Sequence, residues 1–272
     1  MTPTYTEIIF SPILPEQSDL LIASLSEQGY EGFEEREGEL LAYIASSEFD
    51  AKLLDALAGS LSAPYRISEV VATNWNANWE SNFEPVTIGS FLHIRAAFHV
   101  PAGNTQYELV ITPKMSFGTG HHATTQLMVT EMAKLDWPQK RVFDFGTGTG
   151  VLSILAEKMG AKEVLAIDND LWSIENAHEN SRANHCNKIQ LIQSDRPPAN
   201  ERFDIILANI NTYILKEQLP TLATLLAPGG QLLLSGLLEE DQEAIELICT
   251  ERTLQLRSVE RLSGWIMLRL AY

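Results

Sequence analysis

The 272-residue chain is poor in cysteine and lacks a long apolar run, and both absences narrow its class. Its two cysteines, Cys186 and Cys249, form neither a C-x-x-C pair nor a set with metal-ligand spacing, so neither a disulfide framework nor a zinc centre is expected. No segment approaches the roughly 18 consecutive apolar residues that a membrane span requires, and the N-terminus lacks the features of a secretory signal. The prediction is a reduced, cytoplasmic setting without membrane contact.

Positive charge is also scarce. The chain has 19 Lys and Arg residues against 36 Asp and Glu residues, which gives a formal net charge of −17 at pH 7. A basic surface for nonspecific binding of nucleic acid is therefore not expected. The negative charge suits a basic protein partner, because complementary fields speed encounter, although many acidic proteins are charged only for solubility.

The first 72 residues predict a small domain of their own. Apolar runs and helical periodicity alternate in the order β-α-β-β-α-β, which is typical of ferredoxin-like α+β domains. Ser47 is the predicted N-cap of the second helix, over Glu48–Ala58. The aromatic residues Trp75, Trp79 and Phe83 then recur at every fourth position, which predicts a linker helix over residues 73–84.

From residue 85 to residue 272 the chain predicts an α/β domain. Strands alternate with helices from residue 141 onward, a pattern typical of a mostly parallel, Rossmann-like sheet with helices on both faces. Two successive strands near 253–261 and 264–271 predict an antiparallel hairpin at the end of the sheet.

The most informative segment is the turn after the strand 142–145. Gly146, Gly148 and Gly150 leave almost no side chain at the strand end, so a ligand can approach the backbone N–H groups closely. Val151 stands where a dinucleotide G-x-G-x-x-G fingerprint would have its third glycine, and the chain has no G-x-x-x-x-G-K-[ST] phosphate loop. S-adenosylmethionine, a nucleoside derivative without a phosphate chain, suits such a turn. A plain tight connection is the alternative.

An acidic residue ends the next predicted strand. Asp168 follows Gly150 by 18 residues (168 − 150), which leaves room for one helix and one strand. In nucleotide-binding α/β folds, an acidic side chain about 20 residues after the turn accepts hydrogen bonds from the ribose hydroxyls. The alternative is that Asp168 caps the following helix, although Asn169 and Asp170 could do so equally well.

A third strand, near 203–208, ends at Asn209. Its end is predicted at the same edge of the sheet as Gly146 and Asp168, where a carboxamide offers both a donor and an acceptor. A turn or a helix N-cap is the equally weighted alternative. The pair His121 and His122 suggests a metal, but adjacent residues do not share a face and no third ligand has zinc-like spacing, so no metal site is expected.

Over nearly its whole length the chain resembles the bacterial ribosomal protein L11 methyltransferases of the PrmA type. The resemblance rests on the loop 117–125, the turn 144–150, Asp168 and the segment Ala208–Ile210. The loop is the most family-specific piece, whereas the glycine turn is shared by most class I methyltransferases. The chain departs from the family pattern at Ala123, where many members have proline.

The resemblance implies a class I S-adenosylmethionine-dependent methyltransferase domain preceded by a substrate-recognition domain. It implies that Thr125, Gly146, Asp168 and Asn209 contact S-adenosylmethionine, and the turn adds Gly148 as a cofactor-binding residue. It also implies that the substrate is ribosomal protein L11, whose lysine side chains and N-terminal α-amine receive methyl groups. We expect a monomer that binds this basic protein and no nucleic acid directly.

Asn209 is the predicted catalytic residue, because its carbonyl oxygen can orient the reacting amine. Phe117 and Trp265 are predicted wall residues that could accept a methylated ammonium by cation–π contact. The nearest alternative is a class I methyltransferase with another protein or a small molecule as substrate. A non-catalytic cofactor-binding module and a dehydrogenase are further alternatives, and the glycine spacing disfavours the dehydrogenase.

Overall fold

The computed structural model describes residues 4–26, 28–30, 32–36, 38–71, 84–112, 114 and 117–272. The chain separates into two compact units, Met1–Phe83 and Glu84–Tyr272. Apart from Glu84, the predicted linker helix over 73–84 lies outside the described residues. Among the helices of the described ranges, none has the length and apolar character that a membrane crossing needs.

The first unit is an antiparallel sheet combined with two helices. Its elements are β1 (Thr4–Phe10), α1 (Pro15–Ser26), β2 (Gly32–Arg36), β3 (Glu39–Ala45), α2 (Ala51–Ser60) and β4 (Tyr65–Val71). The strands pair in the order β2-β3-β1-β4, which is the ferredoxin-like order and confirms the predicted fold of this unit. Ile8, Phe10 and Leu40 of the sheet pack in one core with Leu21 of α1 and Leu54 of α2.

One helix start in this unit was predicted wrongly. Helix α2 begins at Ala51 rather than at Glu48, because Asp50 rather than Ser47 is its N-cap. The Asp50 carboxylate accepts the backbone N–H of Lys52 at 2.8 Å. The sequence offers two capping side chains three residues apart, and aspartate is at least as good a cap as serine.

The second unit contains a three-stranded and a seven-stranded sheet. Its elements are β5 (Val86–Ile88), β6 (Leu92–Arg95), β7 (Tyr107–Val110), α3 (Ala123–Met132), β8 (Arg141–Phe145), α4 (Val151–Lys158), β9 (Glu163–Asp168), α5 (Leu171–Ala183), β10 (Ile189–Gln193), β11 (Phe203–Asn209), α6 (Thr212–Leu225), β12 (Leu226–Leu238), α7 (Gln242–Glu251), β13 (Gln255–Leu262) and β14 (Trp265–Ala271). The large sheet has the order β10-β9-β8-β11-β12-β14-β13. The five strands β8 to β12 run parallel to one another, and β14 pairs antiparallel with both β12 and β13, which confirms the predicted Rossmann-like sheet with a terminal antiparallel hairpin.

The strand order brings the ends of β8, β9 and β11 together. Strand β8 lies between β9 and β11, so the chain continues to one side after β8 and later returns to the other side. Such a reversal leaves a crevice at the carboxyl ends of parallel strands. Two buried clusters support the sheet: one contains Met128 of α3 and Ile154 of α4, and the other contains Leu219 of α6 and Ile245 of α7.

Candidate functional site

A cavity of about 500 Å³ opens at this edge of the sheet. The strand ends and the connections that follow them form most of its wall, together with one residue of the terminal hairpin. Its lining residues are Phe117, His122, Thr124, Phe145, Gly146, Gly148, Asp168, Asn169, Ser173, Ser194, Asp195, Asn209, Ile210, Asn211, Ile214, Gly236 and Trp265. The structure therefore brings the glycine turn, Asp168 and Asn209 to one cavity.

The glycine turn requires glycine for both conformation and space. Gly146 and Gly148 have φ values of +76° and +55°, which residues with a side chain rarely adopt. A Cβ atom at Gly146 would overlap Cγ2 of Ile210, and one at Gly148 would overlap the backbone carbonyl of Phe117. The turn is thus closely surrounded by two other segments of the cavity wall.

A buried carboxylate supports the turn from below. Asp144, at the end of β8, accepts hydrogen bonds from the hydroxyls of Thr147 at 2.7 Å and Ser153 at 2.6 Å. Burial raises the pKa of Asp144 from 3.8 to about 6, and these two hydrogen bonds oppose that rise. The contacts tie the strand end, the turn and the first turn of α4 into one hydrogen-bonded unit.

Asp168 contacts the glycine turn directly. Its Oδ2 accepts the backbone N–H of Gly148 at 2.9 Å, and its Oδ1 accepts that of Asp170 at 3.0 Å. The N-cap of α5 is Asp170, whose carboxylate accepts the N–H groups of Trp172 and Ser173. The capping alternative for Asp168 was therefore wrong, and this carboxylate remains available to a ligand in the cavity.

Asn209 shows the same arrangement at the next connection. The N-cap of α6 is Asn211, whose side chain accepts the N–H of Ile214 at 3.0 Å. The capping alternative for Asn209 was therefore wrong as well. Asn209 lines the cavity, and its Oδ1 is buried and has no hydrogen-bond partner among the described residues.

Thr125 lies deeper than the cavity wall. It is fully buried in the first turn of α3, and the described lining includes its neighbour Thr124 instead. Its Oγ1 lacks a hydrogen-bond partner within the described part of the chain. The structure thus places Thr125 beside the cavity without placing it on the surface.

The two histidines have separate roles in the local structure. His122 is the N-cap of α3, and its ring packs edge-on against Phe117 and Trp265 at centroid distances of 5.2 and 4.8 Å. His121 instead makes a 2.9 Å hydrogen bond to the backbone carbonyl of Glu84. In the described ranges, no cluster of three or more His, Cys, Asp or Glu residues could hold a metal ion. Phe117, His122 and Trp265 form one aromatic side of the cavity, which we call the aromatic wall.

Sequence reasoning missed Ser194 and Asp195, which also line the cavity. They directly follow β10, so their position at the carboxyl end of a parallel strand could have indicated them. It also missed the place of His122 between Phe117 and Trp265. That contact joins α3 to the terminal hairpin, and no local pattern indicates it.

The residues present fit S-adenosylmethionine. The paired oxygens of Asp168 suit vicinal hydroxyls, and the exposed backbone of Gly146 and Gly148 permits close approach of the ligand. The unpaired Oδ1 of Asn209 and Oγ1 of Thr125 are orphaned polar atoms of the kind that a ligand satisfies.

Comparisons with known proteins identify the family. The profile of the ribosomal protein L11 methyltransferase (PrmA) family matches residues 17–271. The chain is 38% identical over 247 residues to the ribosomal protein L11 methyltransferase of Phocaeicola vulgatus, covering 87% of this chain and 88% of that relative. It is 41% identical over 254 residues to the one of Chlorobaculum parvum, covering 89% of this chain and 87% of that relative.

A solved structure agrees with these matches. The crystal structure of the ribosomal protein L11 methylase from Lactobacillus delbrueckii subsp. bulgaricus superimposes with a TM-score of 0.65 at 31% identity. The match covers 70% of this chain and 98% of that one. The sheet order agrees with these similarities, which show that the chain belongs to the ribosomal protein L11 methyltransferase (PrmA) family.

Proposed function

We propose that this protein transfers methyl groups from S-adenosylmethionine to ribosomal protein L11, on lysine side-chain amines and on the N-terminal α-amine. Membership in the family supports the cofactor and the substrate. The observation that carries the chemistry is the unpaired Oδ1 of Asn209, in the same cavity as Gly146 and Asp168.

The turn and the two strand ends would hold the cofactor. Gly146 and Gly148 offer backbone without side chains, and Asp168 would accept hydrogen bonds from the ribose hydroxyls. Thr125, whose buried hydroxyl has no partner among the described residues, would supply a further polar contact. When bound, S-adenosylmethionine supplies a methyl group that is activated by its positive sulfur.

Asn209 orients the amine. Its Oδ1 would accept a hydrogen bond from an amine N–H and so hold the nitrogen with its lone pair free to react. A lysine amine, with a reference pKa near 10.4, must first lose a proton, and transfer out of water into the cavity lowers that pKa. The proton passes to solvent before the transfer, so the mechanism needs no obligatory general base. Alignment of the two reacting groups can supply about 7–11 kcal/mol in favourable cases.

The aromatic wall receives the methylated product. The ring faces of Phe117 and Trp265 attract a methylated ammonium by cation–π contact. The net charge of −17 favours encounter with a basic ribosomal protein over contact with nucleic acid.

The test is a transfer assay. The protein is incubated with methyl-labelled S-adenosylmethionine and L11 purified from a strain that lacks the enzyme, and labelled positions are located by mass spectrometry. We expect label on lysines and on the N-terminal amine. Binding of S-adenosylmethionine without label on L11 would refute L11 as the substrate but would agree with a methyltransferase fold.

A further inference from the structure

Thr149 joins the glycine turn to the segment that carries Phe117. Its backbone N–H donates to the carbonyl of Phe117 at 2.9 Å, and its Oγ1 donates to the carbonyl of Gly118 at 2.7 Å. Thr149 is fully buried, and the described cavity lining includes Gly148 but excludes Thr149. Its hydroxyl therefore bonds to the neighbouring segment and is not part of the described cavity lining.

Steric fit reinforces this junction. A Cβ atom at Gly118 would lie 2.7 Å from Thr149 Oγ1, and a Cβ atom at Gly148 would overlap the Phe117 carbonyl. Gly118 also has a φ of +109°, which only glycine adopts readily. The two segments approach each other as closely as backbone permits, so a small shift in one must move the other.

Asn180 of α5 fixes Thr149 from the other side. Its Nδ2 donates to the Thr149 carbonyl at 2.9 Å, and its Oδ1 accepts the backbone N–H of Thr112 at 2.8 Å. Asn180 is fully buried; its hydrogen bond to the Thr149 carbonyl is buried, and the one from Thr112 is partly buried. Breaking them would leave buried groups unpaired, which is costly. Thr149 thus has a rigid support.

The aromatic wall depends on this junction. Phe117 is 52% exposed, and its ring packs on His122, which packs in turn on Trp265. The hydrogen bonds that the backbone N–H and the hydroxyl of Thr149 donate therefore fix the backbone that carries Phe117, a residue of the cavity lining. We propose that Thr149 is a positioning residue, whose hydroxyl aligns the aromatic wall against the methyl donor bound at the glycine turn.

This inference rests on the proposed methyl transfer and names a residue that acts through another one. Without the hydroxyl, the Gly118 carbonyl loses its donor while the glycine turn keeps its own backbone contacts. Amine alignment then suffers more than cofactor binding does. A displacement of about 1 Å in a positioning group can cost as much as a hundredfold in rate.

The test compares Thr149→Val with Thr149→Ser. Valine matches threonine in shape but lacks the hydroxyl, whereas serine keeps it. The matched control is Thr250→Val on α7, which removes an exposed hydroxyl bonded to the carbonyl of Glu246. For each variant we would measure the Kd of S-adenosylmethionine, the kcat and KM of L11 methylation, and hydrogen–deuterium exchange of the 117–122 segment.

We expect Thr149→Val to lower kcat by roughly tenfold or more, to change the cofactor Kd by less than about threefold, and to speed exchange in the 117–122 segment. Thr149→Ser should keep most of the wild-type kcat and most of the wild-type protection from exchange in the 117–122 segment. Equal behaviour of the valine and serine variants, or a rise in Kd as large as the fall in kcat, would overturn the inference.

Failure of the proposed function gives a different result. If wild-type protein does not methylate L11, the proposed substrate is wrong. The exchange measurement needs no substrate, so it still decides whether the Thr149 hydroxyl holds the Phe117 segment. Unchanged exchange in Thr149→Val contradicts the positioning role whatever the substrate is.

Discussion

Two strand-to-helix connections at the cavity share a residue pattern but differ in hydrogen bonding. After β9, Asp168 faces the cavity and Asp170 caps α5; after β11, Asn209 faces the cavity and Asn211 caps α6. Both oxygens of Asp168 accept backbone N–H groups, whereas Oδ1 of Asn209 has no partner in the described part of the chain.

This difference separates two kinds of site residue. In each connection the later residue, Asp170 or Asn211, caps the N-terminus of the helix. The earlier residue, Asp168 or Asn209, is therefore not needed as a cap. Asp168 is already fixed to the glycine turn, so it suits the constant part of the cofactor. Asn209 keeps an unused acceptor, so it suits the group that arrives last, the reacting amine.

The largest effect is expected from Gly146→Val, whose side chain would collide with the connection between β11 and α6. The new side chain would overlap Ile210, the residue after Asn209, at a φ of +76°. We expect cofactor affinity, measured by calorimetric titration, to fall roughly a hundredfold or more, since overpacking and positive-φ strain each cost about 1–3 kcal/mol. Gly229→Val is the control, because Gly229 has a similar φ of +74° but open space around it. Equal losses in both variants would refute the steric explanation.

Asn209→Ala tests whether Asn209, unlike Asp168, acts on the reacting amine rather than on cofactor binding. We expect a folded protein that still binds S-adenosylmethionine but whose kcat falls roughly a hundredfold, as for other preorganised groups that align reacting atoms. Steady-state kinetics with L11 measures this fall. Turnover close to that of the wild type would remove Asn209 from the mechanism.

Asp144 provides a third carboxylate for comparison, one that is fully buried. Its folded pKa of about 6 lies above the usual 3.8, so its stabilising contribution is complete below about pH 4 and is lost as the pH rises through 6. Against Asp144→Asn, wild-type stability should therefore fall by up to about 3 kcal/mol between about pH 4 and pH 7. Urea unfolding of both proteins across this range measures the difference, and a constant difference would contradict the buried-charge explanation.

Asp168→Ala tests the first connection. Loss of charge-assisted hydrogen bonds to the ribose should weaken cofactor binding about tenfold to a hundredfold, with kcat at saturating cofactor changing less. Asp168→Asn keeps one acceptor and should fall between the two proteins. A variant whose kcat drops while its Kd is unchanged would reverse the roles of Asp168 and Asn209.

The smallest effects are expected at the two caps. Asp170→Ala and Asn211→Ala should each lower the free energy of unfolding by about 1 kcal/mol, because each removes a side-chain acceptor at a helix N-terminus. Denaturant titration measures this loss. Asp170 is not part of the described cavity lining, so Asp170→Ala should leave cofactor binding nearly unchanged; a loss of affinity as large as that of Asp168→Ala would contradict the separate roles of Asp168 and Asp170.

The sequence predicted the parts of the site that lie at strand ends. Gly146, Asp168 and Asn209 each follow an apolar run, and the carboxyl ends of parallel strands meet at one edge. The sequence could not decide between ligand and cap at Asp168 and Asn209, because polar residues two positions apart serve both purposes. Only the structure shows that the later residue of each pair, Asp170 or Asn211, is the helix N-cap.

Contacts between distant segments could not be predicted. His122 packs between Phe117 and Trp265, and Asn180 links Thr112 to Thr149, through chain separations that local periodicity does not record. These contacts depend on how α3, α5 and the terminal hairpin pack on the sheet. Helix α2 shows the same limit locally, since two possible caps precede it.

The most direct test of the Asn209 role uses a cofactor analogue with an amine in place of the sulfonium methyl. Its binding is compared with that of S-adenosylhomocysteine, which lacks the amine, in wild-type protein and in Asn209→Ala. If Oδ1 accepts a hydrogen bond from an amine at the transfer point, the wild type prefers the amine analogue and the variant loses most of that preference, by roughly tenfold. An equal preference in both proteins would contradict the proposed role of Asn209.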